Sequence, residues 1–195
     1  MSSPLYLVLL FVVFISHRGA TTEAANEPVI DVYGKRLQSG ISYYILPVVR
    51  GRGGGLTVSE SENTTCPRIV TQDQSKDSKG LPVDFTPYDK SRTIRVSTDL
   101  NFEFSLFTIW KLDSSEETPN QLFISTCGVS GNPGQKTVSN WFKIDKFEDA
   151  YKIVFCPSVC NFCKVRCGDI GVFVKDGKRR LALSDVPLKV MFKKA

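Results

Sequence analysis

The sequence predicts an all-β domain on the basis of three observations. Its apolar stretches are short and rich in Val, Ile, Phe and Tyr, turn-forming residues separate them, and no segment carries a sustained apolar repeat of 3.6 residues. Many short strands at nearly regular spacing are typical of a sandwich or a barrel. The stretches predicted as strands are Tyr43–Val49, Ile94–Val96, Phe102–Ile109, Phe123–Ser125, Trp141–Ile144, Tyr151–Phe155, Val172–Val174, Leu181–Leu183 and Leu188–Phe192.

Residues 1–25 predict a secretory signal peptide ahead of a single domain over residues 26–195. Leu5–Ile15 is an almost unbroken apolar run, too short to span a bilayer as a helix, and small residues follow it up to Ala25. A buried N-terminal helix is the alternative. We therefore expect a secreted protein of the apoplast, with the vacuole as a second possibility and no membrane attachment after the signal is removed.

Histidine is absent from the expected mature chain, because His17, the only histidine, lies in the predicted signal peptide. This excludes Ser-His and Cys-His catalysis and histidine-ligated zinc. The net charge of +5 is mild, and the basic residues are scattered apart from the cluster Lys178–Arg180. We expect no enzymatic activity, no cofactor and no nucleic-acid partner.

Six cysteines behind a signal peptide predict up to three disulfides, although the sequence alone allows 15 pairings. Four of them fall within twelve residues, a density that a metal site would also explain, but a secreted chain favours disulfides. The sequon at Asn63 predicts N-glycosylation. The cysteines are Cys66, Cys127, Cys156, Cys160, Cys163 and Cys167.

Turn signals and a weak repeat add detail to this prediction. Asp176-Gly177 between two apolar stretches is a strong hairpin signal, and Asp31 and Asp99 are interpreted as turn caps rather than catalytic carboxylates. Apolar aromatic stretches recur at intervals of roughly fifty to sixty residues, which is compatible with a threefold repeat but does not require one.

The stretch Val29–Leu37, followed by Tyr43-Tyr44-Ile45, resembles the N-terminal signature of plant Kunitz-type (soybean trypsin inhibitor) protease inhibitors. Later segments resemble the miraculin-like branch of this family, and the resemblance covers residues 27–193. These segments are Pro47–Arg50, Gly53–Thr57, Cys66–Arg68, Val96–Asn101, Gly131–Gly134, Trp141–Ile144, Tyr151–Pro157 and Lys178–Ser184.

The resemblance implies a β-trefoil of twelve strands, six forming a barrel and six a hairpin cap. It also implies the nested disulfides Cys156–Cys167 and Cys160–Cys163. Cys66–Cys127 is then the simplest remaining pair, worth roughly 4 kcal/mol for a loop of about sixty residues. Two free thiols or an intermolecular bridge remain open for these two cysteines.

The family implies an inhibitor of secreted or digestive proteases, monomeric, active in plant defence and acting through a substrate-like loop around residues 86–95. A basic residue entering the S1 pocket would select trypsin-like enzymes. Lys90 and Arg92 are the only such candidates, and we favour Arg92; a solvated hairpin tip is the other interpretation. The expected loop is Pro87, Tyr88, Asp89, Lys90, Ser91, Arg92, Thr93, Ile94 and Arg95.

Ser39 departs from the family pattern, which commonly has an Asn before the Gly matching Gly40 to brace the loop by hydrogen bonds. A serine hydroxyl makes fewer such bonds. Inhibition of papain-like cysteine proteases therefore stays open. So do a non-inhibitory carbohydrate-binding or defence module and a storage protein, because a fold does not decide function.

Overall fold

The computed structural model describes residues 27–49, 51–59, 68–105, 108–115, 118–129 and 132–195. The predicted signal peptide over residues 1–25, the sequon at Asn63 and the cysteine at Cys66 lie outside the described residues. No helix in the described part of the chain is long and apolar enough to cross a membrane.

The described residues form twelve strands and a short 3-10 helix at Gln135–Asn140. The strands are β1 Tyr43–Pro47, β2 Leu56–Val58, β3 Val70–Gln72, β4 Val83–Pro87, β5 Leu100–Phe104, β6 Thr108–Ser115, β7 Thr118–Gly128, β8 Lys143–Phe147, β9 Ala150–Phe155, β10 Gly168–Lys175, β11 Lys178–Ser184 and β12 Val190–Lys194.

Six of the strands close into a barrel. β1 pairs with β4 and β12, β4 pairs with β5, β8 pairs with β9, and β9 pairs with β12, all antiparallel. The ring closes between β5 and β8, where Leu100 and Phe142 exchange two main-chain hydrogen bonds of 2.8 and 2.9 Å. Closure leaves no free sheet edge around the barrel.

The other six strands form three hairpins that cap the barrel: β2–β3, β6–β7 and β10–β11. β11 joins the three, because it also pairs with β3 at Arg180–Thr71 and with β7 at Ala182–Phe123. The three four-strand units begin at Tyr43, Leu100 and Ala150. The fold is therefore the β-trefoil that the resemblance implies, and the weak repeat in the sequence corresponds to its three units.

Aromatic rings from different strands fill the barrel. Phe85, Phe102, Trp110 and Phe192 are fully buried. The ring centroid of Phe102 lies 4.9 Å from that of Phe85 and 5.1 Å from that of Trp110. Truncating one of these rings to alanine would cost roughly 3–5 kcal/mol, since little else could fill the space. This core is a rigid base for the loops at the strand ends.

The predicted turns at Asp31 and at Asp176-Gly177 are confirmed. Asp176 and Gly177 have φ of 52° and 71°, the pair of positive angles that a two-residue hairpin turn requires. The Asp31 carboxylate accepts hydrogen bonds from the main-chain N–H groups of Tyr33 and Lys35 at 2.8 and 2.9 Å. Asp31 is therefore a turn cap.

Strand positions are predicted less well than the fold class. Ile94–Val96 is not a strand, because it pairs through single bridges with the irregular N-terminal segment instead of a ladder. The predicted strand Phe102–Ile109 is two strands, β5 and β6, and β2, β3 and β4 are missed. β3 reads Val-Thr-Gln and lacks an apolar alternation, yet all three of its residues are buried.

Candidate functional site

The predicted loop Pro87–Arg95 lies between the end of β4 and the start of β5, at one end of the barrel. The side chains of Tyr88, Asp89, Lys90 and Arg92 are exposed, while Ile94 is fully buried. The loop therefore presents an aromatic, an acidic and two basic side chains to solvent and is fastened to the core at Ile94.

The tip of the loop is a tight turn centred on Lys90. The Lys90 N–H donates to the Pro87 carbonyl at 3.1 Å, and the Ser91 N–H donates to the Asp89 carboxylate at 3.0 Å. Lys90 has φ of 57°, in the left-handed region that costs a non-glycine residue about 1–2 kcal/mol. A residue in this conformation cannot pair with a protease as an extended strand.

The descending limb, residues 92–96, is fastened on one side to the turn that precedes β1. The Ser39 N–H donates to the Arg92 carbonyl at 2.8 Å, and the Ile94 N–H donates to the Leu37 carbonyl at 3.0 Å. Between them, Gln38 and Thr93 form an antiparallel bridge. The main chain of residues 92–94 is thus held against residues 37–39, while the Arg92 side chain is exposed to solvent.

The other side of this limb is fastened to the first described residues of the chain. The Val29 N–H donates to the Ile94 carbonyl and the Val96 N–H donates to the Glu27 carbonyl, both at 2.9 Å. Pro28 and Arg95 form an antiparallel bridge between these bonds. Arg95 is half-buried and lies within this frame, so it is a poor choice for the residue that enters a protease pocket.

Ser39 supports the loop through its main chain and not through its side chain. The family pattern directs attention to the side chain at this position, whereas the contact to the loop comes from the main-chain N–H of Ser39. Gly40, with φ of 77°, completes the turn that aims this N–H at Arg92. The pair Ser39-Gly40 just before β1 is the sequence signal for this turn, because glycine supplies the positive φ that the turn requires.

Tyr43, which is buried in the core, supports the same turn. Its hydroxyl accepts a hydrogen bond from the Gln38 N–H at 3.0 Å. Burial raises the pKa of the Tyr43 phenol above its usual value, so the hydroxyl stays neutral at physiological pH. The turn at Gln38–Gly40 is therefore supported from the core on one side and contacts the loop on the other.

The four clustered cysteines form a second loop beside the first one. Cys156 is bonded to Cys167 and Cys160 to Cys163, with Cα–Cα distances of 4.5 and 5.4 Å. These are the two pairs that the resemblance implies. Cys127 is also disulfide-bonded, and Cys66, its predicted partner, lies outside the described residues. We call residues 156–167 the disulfide loop.

Asp99 joins the two loops. Its main-chain carbonyl accepts a hydrogen bond from the Tyr88 N–H at 3.0 Å, at the start of the candidate loop. Its carboxylate, which is buried, accepts from the N–H and the hydroxyl of Ser158 in the disulfide loop, the latter at 2.7 Å. Asp99 is therefore not a simple turn cap, because it links the candidate loop to the disulfide loop.

A cleft of about 320 Å³ separates the two loops. Tyr88 and Asp89 border it on the side of the candidate loop, and Ser158 and Val159 border it on the side of the disulfide loop. The described residues contain no cluster of His, Cys, Asp and Glu that could hold a metal ion. What this end of the barrel offers is a pinned, projecting segment with basic side chains, which suits binding to another macromolecule.

Comparison with known proteins gives consistent matches over almost the whole described chain. The model of the Kunitz legume family, described as trypsin and protease inhibitors, matches residues 29–194. Kunitz trypsin inhibitor 5 of Arabidopsis thaliana is 71% identical over 195 residues, covering 100% of both chains. Miraculin of Synsepalum dulcificum is 45% identical over 190 residues, covering 90% of this chain and 86% of that one.

A solved structure shows the same architecture. The Kunitz-type cysteine protease inhibitor PCPI-3 from potato superposes with a TM-score of 0.76 at 32% identity, covering 87% of this chain and 98% of that chain.

Proposed function

The chain belongs to the Kunitz family of trypsin and protease inhibitors, and from this premise we propose that it inhibits a trypsin-like serine protease through the loop Pro87–Arg95. The observation that carries the proposal is the frame around Arg92. Its side chain is exposed, and the main chain beside it is bonded to residues 27–29 and 37–39. A segment ordered before binding loses little entropy when a protease closes on it.

Arg92 is the residue that we propose to enter the acidic S1 pocket of the protease. Lys90 is the other exposed cation in this loop, but its left-handed backbone turns the chain at that point. Arg92 instead borders the extended bridge at Thr93. A guanidinium in a pocket with a carboxylate at its base would form a charge-assisted, bidentate pair.

The Arg92 carbonyl gives this inhibitor a specific property. A serine protease cleaves after the S1 residue only when that carbonyl oxygen reaches the oxyanion hole. Here the oxygen already accepts a hydrogen bond from Ser39. We propose that this bond keeps the Arg92–Thr93 peptide from attack while the side chain remains bound, so that the loop is held as an inhibitor and not turned over as a substrate.

The test is a titration of the purified, oxidised protein against trypsin, with chymotrypsin and papain as comparators. We expect stoichiometric inhibition of trypsin. Arg92→Ala should weaken it at least about 30-fold, the effect of losing a central anchor worth about 2 kcal/mol or more. Lys90→Ala is the matched control, since it removes a neighbouring exposed cation, and should change inhibition by less than about threefold. Equal losses in both variants would contradict the assignment.

Inhibition of a papain-like cysteine protease is the second candidate function. It is favoured by the likeness to the cysteine protease inhibitor from potato and by the engaged Arg92 carbonyl, which departs from a simple substrate geometry. Inhibition of papain alone, unaffected by Arg92→Ala, would support this function. Inhibition of none of the three enzymes would favour a storage or carbohydrate-binding role.

We further propose that the protein is a secreted monomer without enzymatic activity, released after removal of residues 1–25, glycosylated at Asn63 and closed by a Cys66–Cys127 bond. The sequence supports secretion, glycosylation and the disulfide, since an apolar run precedes a domain with six cysteines and one sequon. N-terminal sequencing of the secreted protein, the mass shift on deglycosylation, non-reducing peptide mapping and light scattering test these parts one by one.

A further inference from the structure

Phe162 is the most exposed aromatic side chain among the described residues, at 72% of its surface. The next aromatic rings are Tyr33 at 63% and Tyr88 at 50%. A phenylalanine ring has no polar atom to hydrate, so leaving it in water forgoes the gain of burying it. Such a ring on a surface is a candidate anchor for a partner.

The main chain beneath Phe162 is held by two covalent bonds. Phe162 lies in a four-residue turn whose first and last residues, Cys160 and Cys163, are bonded to each other, and the Cys163 N–H donates a long hydrogen bond of 3.4 Å to the Cys160 carbonyl. The Cys156–Cys167 bond closes the base of the loop. A rigidly mounted ring loses little entropy on binding, a property shared by residues that dominate interfaces.

The turn is not a second substrate-like loop. A protease binds its substrate in an extended form, whereas the Cys160–Cys163 bond brings the two ends of this turn to a Cα–Cα distance of 5.4 Å. Phe162 can therefore enter a pocket as a side chain, but its main chain cannot pair with the partner as a strand.

Asp99 places this ring beside the proposed inhibitory loop. The same residue binds Tyr88 through its carbonyl and Ser158 through its carboxylate. Phe162 is four residues from Ser158, so the two Cα atoms are at most about 14 Å apart. A standard interface covers about 800 Å² on each partner and is therefore about 30 Å across. An interface of this size centred on the cleft between the two loops reaches both of them.

Two exposed basic side chains follow Phe162 in the chain and indicate what kind of surface it would bind. Lys164 and Arg166 are exposed, and residues 156–167 contain no acidic residue. Basic residues two and four positions after an exposed ring complement an apolar pocket with carboxylates at its edge.

We propose that the Phe162 turn is a second anchor for the same protease that the inhibitory loop blocks. Phe162 binds an apolar depression beside the active-site cleft of that protease, and Lys164 and Arg166 pair with acidic groups at its rim. This inference rests on the proposed function. It assigns the disulfide loop a role in binding in addition to its role in stability.

The test measures association and dissociation rates for the complex with trypsin, using wild-type protein, Phe162→Ala and the control Val186→Ala. Val186 is equally exposed, at 75%, but lies in the turn between β11 and β12 and not in the disulfide loop. We expect Phe162→Ala to raise the dissociation rate at least tenfold and Val186→Ala to leave it unchanged. Circular dichroism and intact mass verify that both variants fold and keep their disulfides.

A second variant tests the two basic residues. Lys164→Gln with Arg166→Gln should lower the association rate at low ionic strength and lose that difference in about 0.5 M salt, since electrostatic steering is screened.

A dissociation rate of Phe162→Ala equal to wild type would overturn the second anchor and leave the proposed function intact. Loss of papain inhibition in Phe162→Ala, with trypsin inhibition unchanged, would also overturn it and assign the turn to a separate cysteine-protease site. Absence of trypsin inhibition in the wild-type protein would refute both the proposed function and the anchor.

Discussion

The loop Pro87–Arg95 and the neighbouring disulfide loop, residues 156–167, are held in place by different means. The proposed inhibitory loop, Pro87–Arg95, is fixed by main-chain hydrogen bonds to residues 27–29 and 37–39. The disulfide loop is fixed by two covalent bonds and one carboxylate. The first kind of support depends on the surrounding fold, and the second kind is present wherever the cysteines are oxidised. Each kind should therefore fail under different conditions.

Removing the outer disulfide should have the largest effect. Cys156→Ser with Cys167→Ser removes a bond between residues 11 positions apart, and we expect the free energy of unfolding to fall by roughly 3 kcal/mol. Chemical denaturation measures this change. Inhibition of trypsin should weaken no more than it does in Phe162→Ala, because the frame around Arg92 contains no cysteine. A complete loss of inhibition in a folded variant would show that the two loops are not separately supported.

Removing one main-chain donor should have an intermediate effect. Ser39→Pro deletes the N–H that donates to Arg92, and proline is favoured just before a glycine of positive φ in this kind of turn. With that carbonyl released, we expect cleavage at Arg92–Thr93 by trypsin to rise about fivefold, corresponding to a hydrogen bond of about 1 kcal/mol. Mass spectrometry of the complex over time measures the cleaved fraction.

Ser39→Ala is the matched control, since it deletes the hydroxyl and keeps the N–H. It should behave as wild type. Faster cleavage in Ser39→Ala than in Ser39→Pro would mean that the side chain, not the main chain, protects the peptide bond.

Titration of Glu103 should have the smallest effect. Glu103 lies opposite Asp84 on the two strands that carry the inhibitory loop, and burial, together with the charge of Asp84, raises the pKa of Glu103 above its usual value. The folded state therefore binds this proton more tightly than the unfolded chain does. The corresponding stability is fully present below the unfolded pKa of about 4.3 and is lost as the pH rises through the folded pKa.

Glu103→Gln removes this titration, so we expect the variant to gain in melting temperature relative to wild type at pH 7 and to lose that gain at pH 3. The effect of opening the Cys156–Cys167 bond should be the same at both values, because no titrating group is involved. A gain for Glu103→Gln that is equal at pH 3 and pH 7 would exclude the titration as its cause.

The sequence predicts the disulfides that fix one loop much better than the main-chain hydrogen bonds that fix the other. Four cysteines within twelve residues, in a chain with a predicted signal peptide, indicate a cross-linked loop in any fold. Residue types alone do not reveal that the Ser39 N–H meets the Arg92 carbonyl, because every residue except proline carries such a donor. This pairing needs the trefoil to bring together residues that are 53 positions apart (92 minus 39).

The same limit explains the strands that sequence reasoning misses. β3 is buried although it reads Val-Thr-Gln, because the amide of Gln72 accepts from the Arg179 guanidinium at 2.8 Å and donates to the Gly54 carbonyl at 3.1 Å. A buried polar side chain with its partners satisfied does not produce an apolar pattern. The hairpin at Asp176-Gly177 is predicted correctly because the requirement for positive φ is local.

The most direct test of the central claim is a crystal structure of the complex with trypsin. We expect the Arg92 side chain in the S1 pocket, the Arg92 carbonyl still bonded to the Ser39 N–H, and the Phe162 ring buried against the protease. A complex with Lys90 in the S1 pocket, or one in which the inhibitory loop remains in solvent, would contradict it.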